Sequence, residues 1–199
     1  MTKEVIAVDL DEVLSPLHDL VFAHHNAVYG TDYPIHDPSG KYYLQEYSQE
    51  NDSGVLQKLK RFVKTEEFKA VKPLKNAVAV ISGMREDYDL VIITSRQDFY
   101  YDVTRAWLKE HFPKVFKEVM FTQYRGKKGV DIPKSAICKQ LGANYIIEDN
   151  LQHAFECAEA GIHTVLFSDY PWNQADRLPA DVVRCKDWLA VKRYFDDRA

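Results

Sequence analysis

The chain has 199 residues, of which 46% are hydrophobic and 28% are charged, and its net charge is −4. This length suits one α/β core with a small insertion, and the slight negative charge gives no general attraction to a nucleic acid polymer. The longest apolar runs are strand-sized and the amino terminus has no apolar signal segment, so we expect a cytoplasmic protein without a membrane span. Cys138, Cys157 and Cys185 fit no disulfide or zinc pattern and are expected to be reduced core thiols.

The first predicted strand, residues 5–8, ends in two carboxylates, those of Asp9 and Asp11. A buried strand brings both acids to its carboxyl end, where open α/β sheets bind ligands. Two acids this close together need a cation or a shared proton. The spacing therefore favours a hard metal ion such as Mg²⁺, with one carboxylate left for chemistry. Asp87 and Asp89 have the same spacing but precede a strand, at the opposite edge of the sheet, and are expected to be solvated turn residues.

The segment after the first strand is too long for a single crossover helix. Ser15 and Pro16 open a predicted helix that runs to Gly30, further apolar residues recur at helical spacing, and residues 74–84 are expected to form the crossover helix. An insertion at this point would overhang Asp9 and Asp11. The predicted division is a core of residues 1–13 and 73–199 and an inserted helical cap domain of residues 14–72.

Strands and helices alternate through the rest of the chain, which predicts an α/β fold with a Rossmann-like, doubly wound parallel sheet. The predicted strands are residues 90–93, 118–121, 145–147 and 164–167. The predicted helices are residues 97–111, 133–141 and 150–160. A short basic cluster of Arg125, Lys127 and Lys128 is expected in a solvated loop.

Polar residues follow the second and fourth strands and begin one later helix. Thr94 and Ser95 place hydroxyl groups beside the end of the first strand, where they could bind a ligand or cap a helix. Glu148 and Asp149 form a second acidic pair at a carboxyl edge. A cation in the first turn of a helix is unfavourable by ~0.3–1 kcal/mol, so Lys134 either faces an anion or extends into solvent. If the anion is a bound ligand, Lys134→Ala should leave the ligand-free protein about as stable and weaken binding of that ligand.

The order of these features resembles the four motifs of the haloacid dehalogenase superfamily over nearly the whole chain. Those motifs are here Asp9-Leu10-Asp11-Glu12-Val13, Thr94, Lys134 and Glu148-Asp149. Within the superfamily, the first motif, the predicted cap and Tyr170-Pro171-Trp172-Asn173 resemble the 5'(3')-deoxyribonucleotidase-like group. Glu12 stands where glycine is common and Glu148 where aspartate is often found, and the sequence leaves both roles open.

The resemblance implies a Mg²⁺-dependent phosphatase that acts on a small phosphorylated metabolite, such as a (deoxy)nucleoside monophosphate, through an aspartyl-phosphate. Asp9 would be the nucleophile, and Asp11 would protonate the leaving group and then activate water. The metal would be held by Asp9, Asp149 and the Asp11 backbone carbonyl. Phosphate would be bound by Thr94, Ser95 and Lys134.

The residues leave three other activities to weigh against this one. A halide leaves without a proton, so the second acid, Asp11, favours phosphoryl transfer over dehalogenation. A catalytically idle protein of this fold that only binds or regulates, and a phosphatase for a metabolite other than a nucleotide, stay open as alternatives.

Aromatic residues of the predicted cap could stack on a nucleobase or pack the core of the cap. These residues are Tyr29, Tyr33, Tyr42, Tyr43 and Tyr47. The sequence gives no indication of the oligomeric state.

Overall fold

A computed structural model describes residues 2–48, 51–122 and 132–198. Its centre is a six-stranded sheet in the order β3-β2-β1-β4-β5-β6, and every adjacent pair of strands is parallel. The strands are β1 (Val5–Val8), β2 (Asp89–Thr94), β3 (Glu118–Phe121), β4 (Ala143–Glu148), β5 (His163–Phe167) and β6 (Val182–Cys185). The basic cluster of Arg125, Lys127 and Lys128 lies outside the described residues.

Helices connect the strands and cover the sheet. They are α1 (Leu17–Tyr29), α2 (Asp52–Phe62), α3 (Glu66–Lys69), α4 (Ala77–Met84), α5 (Tyr101–His111), α6 (Lys134–Leu141), α7 (Leu151–Glu159) and α8 (Trp188–Asp196). Short 3₁₀ helices occupy Leu44–Glu46, Asp98–Tyr100 and Pro171–Asn173. The α/β, doubly wound parallel fold expected from the sequence is confirmed.

The central strand β1 is buried on both faces because its neighbours are apolar on both sides. Ile6 and Val8 point into a core shared with α4, α5 and α8. Ala7 points the opposite way, into a core shared with α6 and α7. Since side chains alternate along a strand, an apolar run without polar interruptions is what a doubly covered strand requires. The strand order reverses between β1 and β4, and the carboxyl edge at such a reversal is where this architecture binds ligands.

Most predicted elements are present with shifted ends. The helix predicted from Ser15 begins at Leu17 and ends at Tyr29, and Gly30 caps it with a left-handed φ of 66° that glycine adopts easily. The predicted helix 97–111 is a 3₁₀ turn followed by α5, and the crossover helix starts at Ala77. The sequence reading missed β6. The three cysteines are buried and free, as expected.

Between β1 and β2 the chain forms α1, α2 and α3 together with a long loop. Phe22 of α1 packs with Leu44 and Val55 in a small apolar cluster of this segment. Phe62 and Phe68 form a second cluster that reaches Tyr100, which lies just after β2. These contacts seat the segment beside the carboxyl edge of the sheet. No helix within the described ranges is both long and apolar enough to cross a membrane.

Candidate active site

Three buried carboxylates meet at the carboxyl edge of the sheet. Asp9 follows β1, Glu148 ends β4 and Asp149 comes next in the chain. Each has a carboxylate oxygen within 4.8 Å of the others, and the residues are 5%, 0% and 3% exposed. The parallel neighbours β1 and β4 bring them together, because Val8 is in register with Ile147. Asp89, by contrast, lies at the amino end of β2 and pairs with Lys117, and Asp87 is exposed.

Lys134, the first residue of α6, lies between two of these acids. Its Nζ donates hydrogen bonds to Asp9 Oδ1 at 2.5 Å and to Glu148 Oε2 at 2.6 Å. Its side chain is only 3% exposed, so it does not extend into solvent. The anions facing the lysine are thus side chains of the protein itself. This placement revises the expectation that the ligand-free protein would be indifferent to Lys134→Ala.

The pKa values of the acids show how the charges balance. Burial raises the pKa of Asp9 to about 7, with Glu148 and Asp11 adding to the rise and Lys134 opposing it. Burial, Glu148 and Asp9 also raise the pKa of Asp149 well above its usual range. Burial alone would raise the pKa of Glu148, but the charge of Lys134, aided by His153, lowers it to about 2. One lysine therefore satisfies Glu148 and leaves Asp9 and Asp149 short of positive charge.

The donor set fits a hard divalent cation. Both oxygens of Glu148 accept hydrogen bonds, from Lys134 and from the Asn150 backbone N–H. Asp9 Oδ2 and Asp149 Oδ1 accept no hydrogen bond from any described residue. Carboxylate oxygens are the ligands that Mg²⁺ prefers, with water completing its octahedral shell. A cation bound to these two oxygens would also offset the cost of burying both charges and the repulsion between the acids, which together raise both pKa values.

The side chain of Asp11 lies outside this carboxylate group and pairs with Arg96. Arg96 Nη2 donates to Asp11 Oδ1 at 2.6 Å, and its Nε is 3.0 Å from each Asp11 carboxylate oxygen. The guanidinium is itself buried and donates to Thr104 Oγ1 at 2.9 Å. Arg96 therefore fixes the orientation of Asp11 through a planar, charge-assisted contact. The sequence reading gave Arg96 no role, although a cation following a strand whose neighbour ends in acids is a signal for such a pair.

The predicted phosphate-binding residues divide between the cavity and the protein interior. Ser95 and Lys134 line a cavity of about 260 Å³ that also contains Asp9, Asp11 and Asp149. Thr94 is 1% exposed, and its hydroxyl accepts the Arg96 backbone N–H at 3.2 Å. This contact closes a local turn of the kind that Ser and Thr favour. The structure thus brings Ser95 and Lys134 to the acids and ties Thr94 into the turn that carries Arg96.

The late segment at residues 170–173 orients the acids from outside. Trp172 Nε1 donates to Asp149 Oδ2 at 2.8 Å, and Asn173 Nδ2 donates to the Asp149 backbone carbonyl at 3.0 Å. The hydroxyl of Tyr170 donates to the Glu12 carbonyl at 3.0 Å. Partners of this kind fix the geometry of metal-binding carboxylates. In the sequence, this segment is notable only for its resemblance to the deoxyribonucleotidase-like group, and its contacts with Asp149 and Glu12 were not predicted.

Glu12 is a structural acid in the turn after Asp11. Its backbone has a left-handed φ of 58°, and its two carboxylate oxygens each lie 3.0 Å from the His18 backbone N–H at the start of α1. An acceptor there satisfies an N–H that the helix leaves unpaired and suits the helix dipole. Burial, Asp11 and Asp149 raise the pKa of Glu12 well above its usual range.

The segment between β1 and β2 supplies the opposite wall of the cavity. Its apolar and aromatic side chains there include His18, Phe22, Tyr42 and Tyr43. Of the five tyrosines singled out from the sequence, Tyr42 and Tyr43 line the cavity. The others pack within the segment: Tyr33 stacks on Tyr47, and Tyr29 lies against His25 and Lys58. Packing within the segment therefore accounts for Tyr29, Tyr33 and Tyr47, and only Tyr42 and Tyr43 lie where a ligand in the cavity could reach them.

Comparison with known proteins shows the family of this chain. Residues 3–193 match the family described as "5' nucleotidase, deoxy (Pyrimidine), cytosolic type C protein" (NT5C). No curated protein sequence matches the chain.

Similar solved structures share the fold at low sequence identity. A haloacid dehalogenase-like hydrolase from Streptococcus pneumoniae is 17% identical with a TM-score of 0.69, over 97% of this chain and 98% of that one. L-2-haloacid dehalogenase from Xanthobacter autotrophicus is 12% identical with a TM-score of 0.67, over 100% of both chains. D,D-heptose 1,7-bisphosphate phosphatase from B. bronchiseptica, solved with magnesium and phosphate, is 16% identical with a TM-score of 0.57, over 98% of this chain and 99% of that one.

Proposed function

The chain belongs to the NT5C family of the haloacid dehalogenase superfamily and is a phosphoric monoester hydrolase, and we propose that it is a Mg²⁺-dependent phosphatase for a nucleoside monophosphate. The observation that carries the proposal is the group of buried acids around Lys134, which opens onto an aromatic cavity. Phosphorylated small molecules are the substrates that such a hydrolase requires. The assignment of residues 14–72 as a cap that closes this cavity is part of the same proposal.

Asp9 is the proposed nucleophile because its carboxylate is buried in the cavity and held by one strong hydrogen bond. Lys134 donates a hydrogen bond to Asp9 Oδ1, which would be the attacking oxygen, and Oδ2 is left to bind the metal. Attack on phosphorus would form an aspartyl-phosphate and break the bond to the leaving oxygen. Mg²⁺ bound by Asp9, Asp149 and the Asp11 carbonyl would offset the repulsion between this carboxylate and a phosphate dianion. Lys134 and Ser95 would bind the remaining phosphoryl oxygens.

Asp11 is the proposed general acid and base. It protonates the leaving alkoxide and then takes a proton from the water that hydrolyses the aspartyl-phosphate. The Arg96 contact orients its carboxylate, and an 18% exposed side chain is open to the cavity. Glu148, with both oxygens occupied, is assigned the role of positioning Lys134 and not of reacting.

The cavity favours a substrate with an aromatic group beside its phosphate. Phe22 and Tyr42 line it together with Tyr43, which is 56% exposed, and Phe99 and Tyr100 line it from the segment after β2. Aromatic contacts add ~0.5–1.5 kcal/mol beyond the area they bury. A nucleobase would use these rings, whereas a sugar phosphate would not. A metabolite without a base and a catalytically idle protein are the alternatives that the experiment must separate.

The proposal is tested by hydrolysis of a substrate panel with Mg²⁺ and with EDTA. The panel contains deoxynucleoside and nucleoside monophosphates, sugar phosphates and p-nitrophenyl phosphate. We expect turnover only with the metal, and kcat/KM for the best nucleotide at least about tenfold above every sugar phosphate. A sugar phosphate as best substrate would contradict the nucleotide assignment, and no turnover of any substrate would support an idle protein.

The covalent step is tested by single-turnover reaction with ³²P-labelled substrate followed by acid quenching. Wild-type protein should retain label that hydroxylamine removes, and Asp9→Asn should retain none while keeping its fold by circular dichroism. Asp87→Asn is the matched control, since Asp87 belongs to an equally spaced pair of acids at the other edge of the sheet and is exposed. Normal turnover by Asp9→Asn would eliminate Asp9 as the nucleophile.

A further inference from the structure

A second group of potential metal ligands lies at the start of α1 and in the loop that follows it. It consists of His18, Asp19 and His36, whose ligand atoms all lie within 4.8 Å of one another. His36 Nε2 is 2.8 Å from Asp19 Oδ1, and His18 Nδ1 is 3.5 Å from the same oxygen. The group is separate from the carboxylates of the active site and shares no residue with them.

The imidazole of His18 is the unexplained part of this group. Its side chain is 2% exposed, and neither ring nitrogen has a hydrogen-bond partner. The 3.5 Å approach to Asp19 is an ion-pair distance and does not have the geometry of a hydrogen bond. Buried polar atoms without partners are rare and call for an explanation. The ring stacks on Phe22 at 4.4 Å and on Tyr42 at 4.9 Å, so packing on both sides opposes its turning toward water.

Two imidazoles and one carboxylate are typical ligands of borderline transition metals, and hard Mg²⁺ prefers oxygen alone. Catalytic and exchangeable zinc sites use three such protein ligands and leave a fourth position for water. Here the side chains of Asp19 and His36 are 47% and 46% exposed, which gives an ion a route from solvent. We propose that His18, Asp19 and His36 bind a borderline divalent metal ion such as Zn²⁺ at a site distinct from the active-site carboxylates, beside the cavity that His18 also lines.

An ion bound there would join α1 to the loop that carries His36. The His36 ring lies edge-on to Trp172 at 5.7 Å and to Tyr170 at 6.0 Å. Trp172 in turn donates its indole N–H to Asp149. The ion would therefore hold this loop against the core beside the active-site acids. It would also restrain the neighbouring Tyr42, which stacks on His18.

Metal titration of the metal-stripped protein in saturating Mg²⁺ tests the site. Co²⁺ is followed by the visible absorption of a low-symmetry complex, and Zn²⁺ by competition with Co²⁺. We expect one equivalent to bind wild-type protein, and His36→Ala and Asp19→Asn to weaken binding at least tenfold. The matched control is His24→Ala. His24 lies on the same helix as His18 and pairs with Glu67 of α3 at 2.7 Å, and it belongs to no group of three potential ligands among the described residues. It should bind as wild type does.

A third variant separates the two metal sites. Asp9→Asn should weaken Mg²⁺ binding and leave the Co²⁺ equivalent in place. Loss of Co²⁺ binding in Asp9→Asn, with binding intact in His36→Ala, would show that the ion occupies the active-site acids and would overturn the proposal. Wild-type affinity no higher than that of His36→Ala would overturn it as well. Thermal melting of His36→Ala confirms that the variant is folded, and its half-exposed position makes a large change unexpected.

Discussion

Lys134→Ala should destabilise the metal-free protein strongly. The lysine is the shared cation of Asp9 and Glu148, and the three side chains are 3%, 6% and 1% exposed. Its removal leaves two buried carboxylates without the cation that they share, although Glu148 keeps the hydrogen bond from the Asn150 backbone N–H. Breaking a buried pair in this way costs about 3–5 kcal/mol. For a chain of this size, that corresponds to a fall in Tm of roughly 6–20 °C. The macrodipole penalty that the variant relieves is smaller, at ~0.3–1 kcal/mol.

The loss should depend on pH in a defined direction. Lys134 is the main cause of the lowered pKa of Glu148, about 2 against an ordinary 4.5. A group whose pKa is lowered in the folded state stabilises that state above its ordinary pKa, and this contribution disappears as the pH falls toward the folded value. The variant lacks the contribution. The difference in Tm between wild type and variant should therefore be largest above pH 5 and shrink steadily below pH 4. Saturating Mg²⁺ should restore part of it at neutral pH, since the ion supplies charge to the same acids.

Thermal melting in EDTA from pH 3 to pH 8 measures this difference. Lys139→Ala is the control, because Lys139 lies on the same helix and is exposed, and it should change stability by no more than about 0.5 kcal/mol. If Lys134→Ala melts within 2 °C of wild type at neutral pH, or if its deficit is the same at pH 3 and pH 8, the lysine does not balance the buried acids and this account of the site is refuted.

Three further substitutions test separate parts of the site. Asp11→Asn should slow hydrolysis of an alkyl phosphate by at least ~10²-fold. Hydrolysis of p-nitrophenyl phosphate should slow by less, because a good leaving group needs no proton. Equal losses in steady-state kinetics would contradict the acid role. Trp172→Phe removes the hydrogen bond to Asp149 and should raise the Mg²⁺ concentration that gives half-maximal rate by about 10–100-fold. An unchanged Mg²⁺ requirement would show that this contact does not position the metal ligand. Tyr43→Ala should lower kcat/KM for nucleotides more than for p-nitrophenyl phosphate, and Tyr29→Ala, which lies outside the cavity, should not; a uniform loss would indicate a packing role.

The sheet and its acids were predictable because their causes are local. Apolar runs of strand length mark β1, β2, β4 and β5, and the acids after β1 and β4 need only the rule that parallel strands end at the same edge. Single residues also determine two helix boundaries: α6 stops before Gly142, and Asn150 caps the start of α7. In each case the physical cause lies in neighbouring residues of the sequence, so the element can be predicted without knowledge of the fold.

The missed features depend on partners far away in the chain. The strand β6 is difficult to predict because Arg184 interrupts its apolar run. In the structure, the Arg184 guanidinium donates hydrogen bonds to Asn173 and to the Ser168 carbonyl. Arg96 and Asp11 are 85 residues apart. Lys134 and Asp9 are 125 residues apart, which is why the dipole argument alone could not identify Asp9 and Glu148 as anions beside this lysine. Long-range pairing needs the register of the sheet before it can be seen.

Glu12, in the turn after Asp11, is unfavourable in two respects, its backbone conformation and its buried carboxylate. A left-handed backbone in a residue other than glycine costs of order 1–3 kcal/mol, and burial opposes the charge of its carboxylate. Against these costs stand the hydrogen bond that the His18 backbone N–H donates to that carboxylate, shared between its two oxygens, and the hydrogen bond from Tyr170 to the Glu12 carbonyl. A glycine would relax the backbone and lose the acceptor. The turn thereby joins the strand that carries Asp9 to the helix that lines the cavity, and a rigid joint at this point holds Asp11 where Arg96 can orient it.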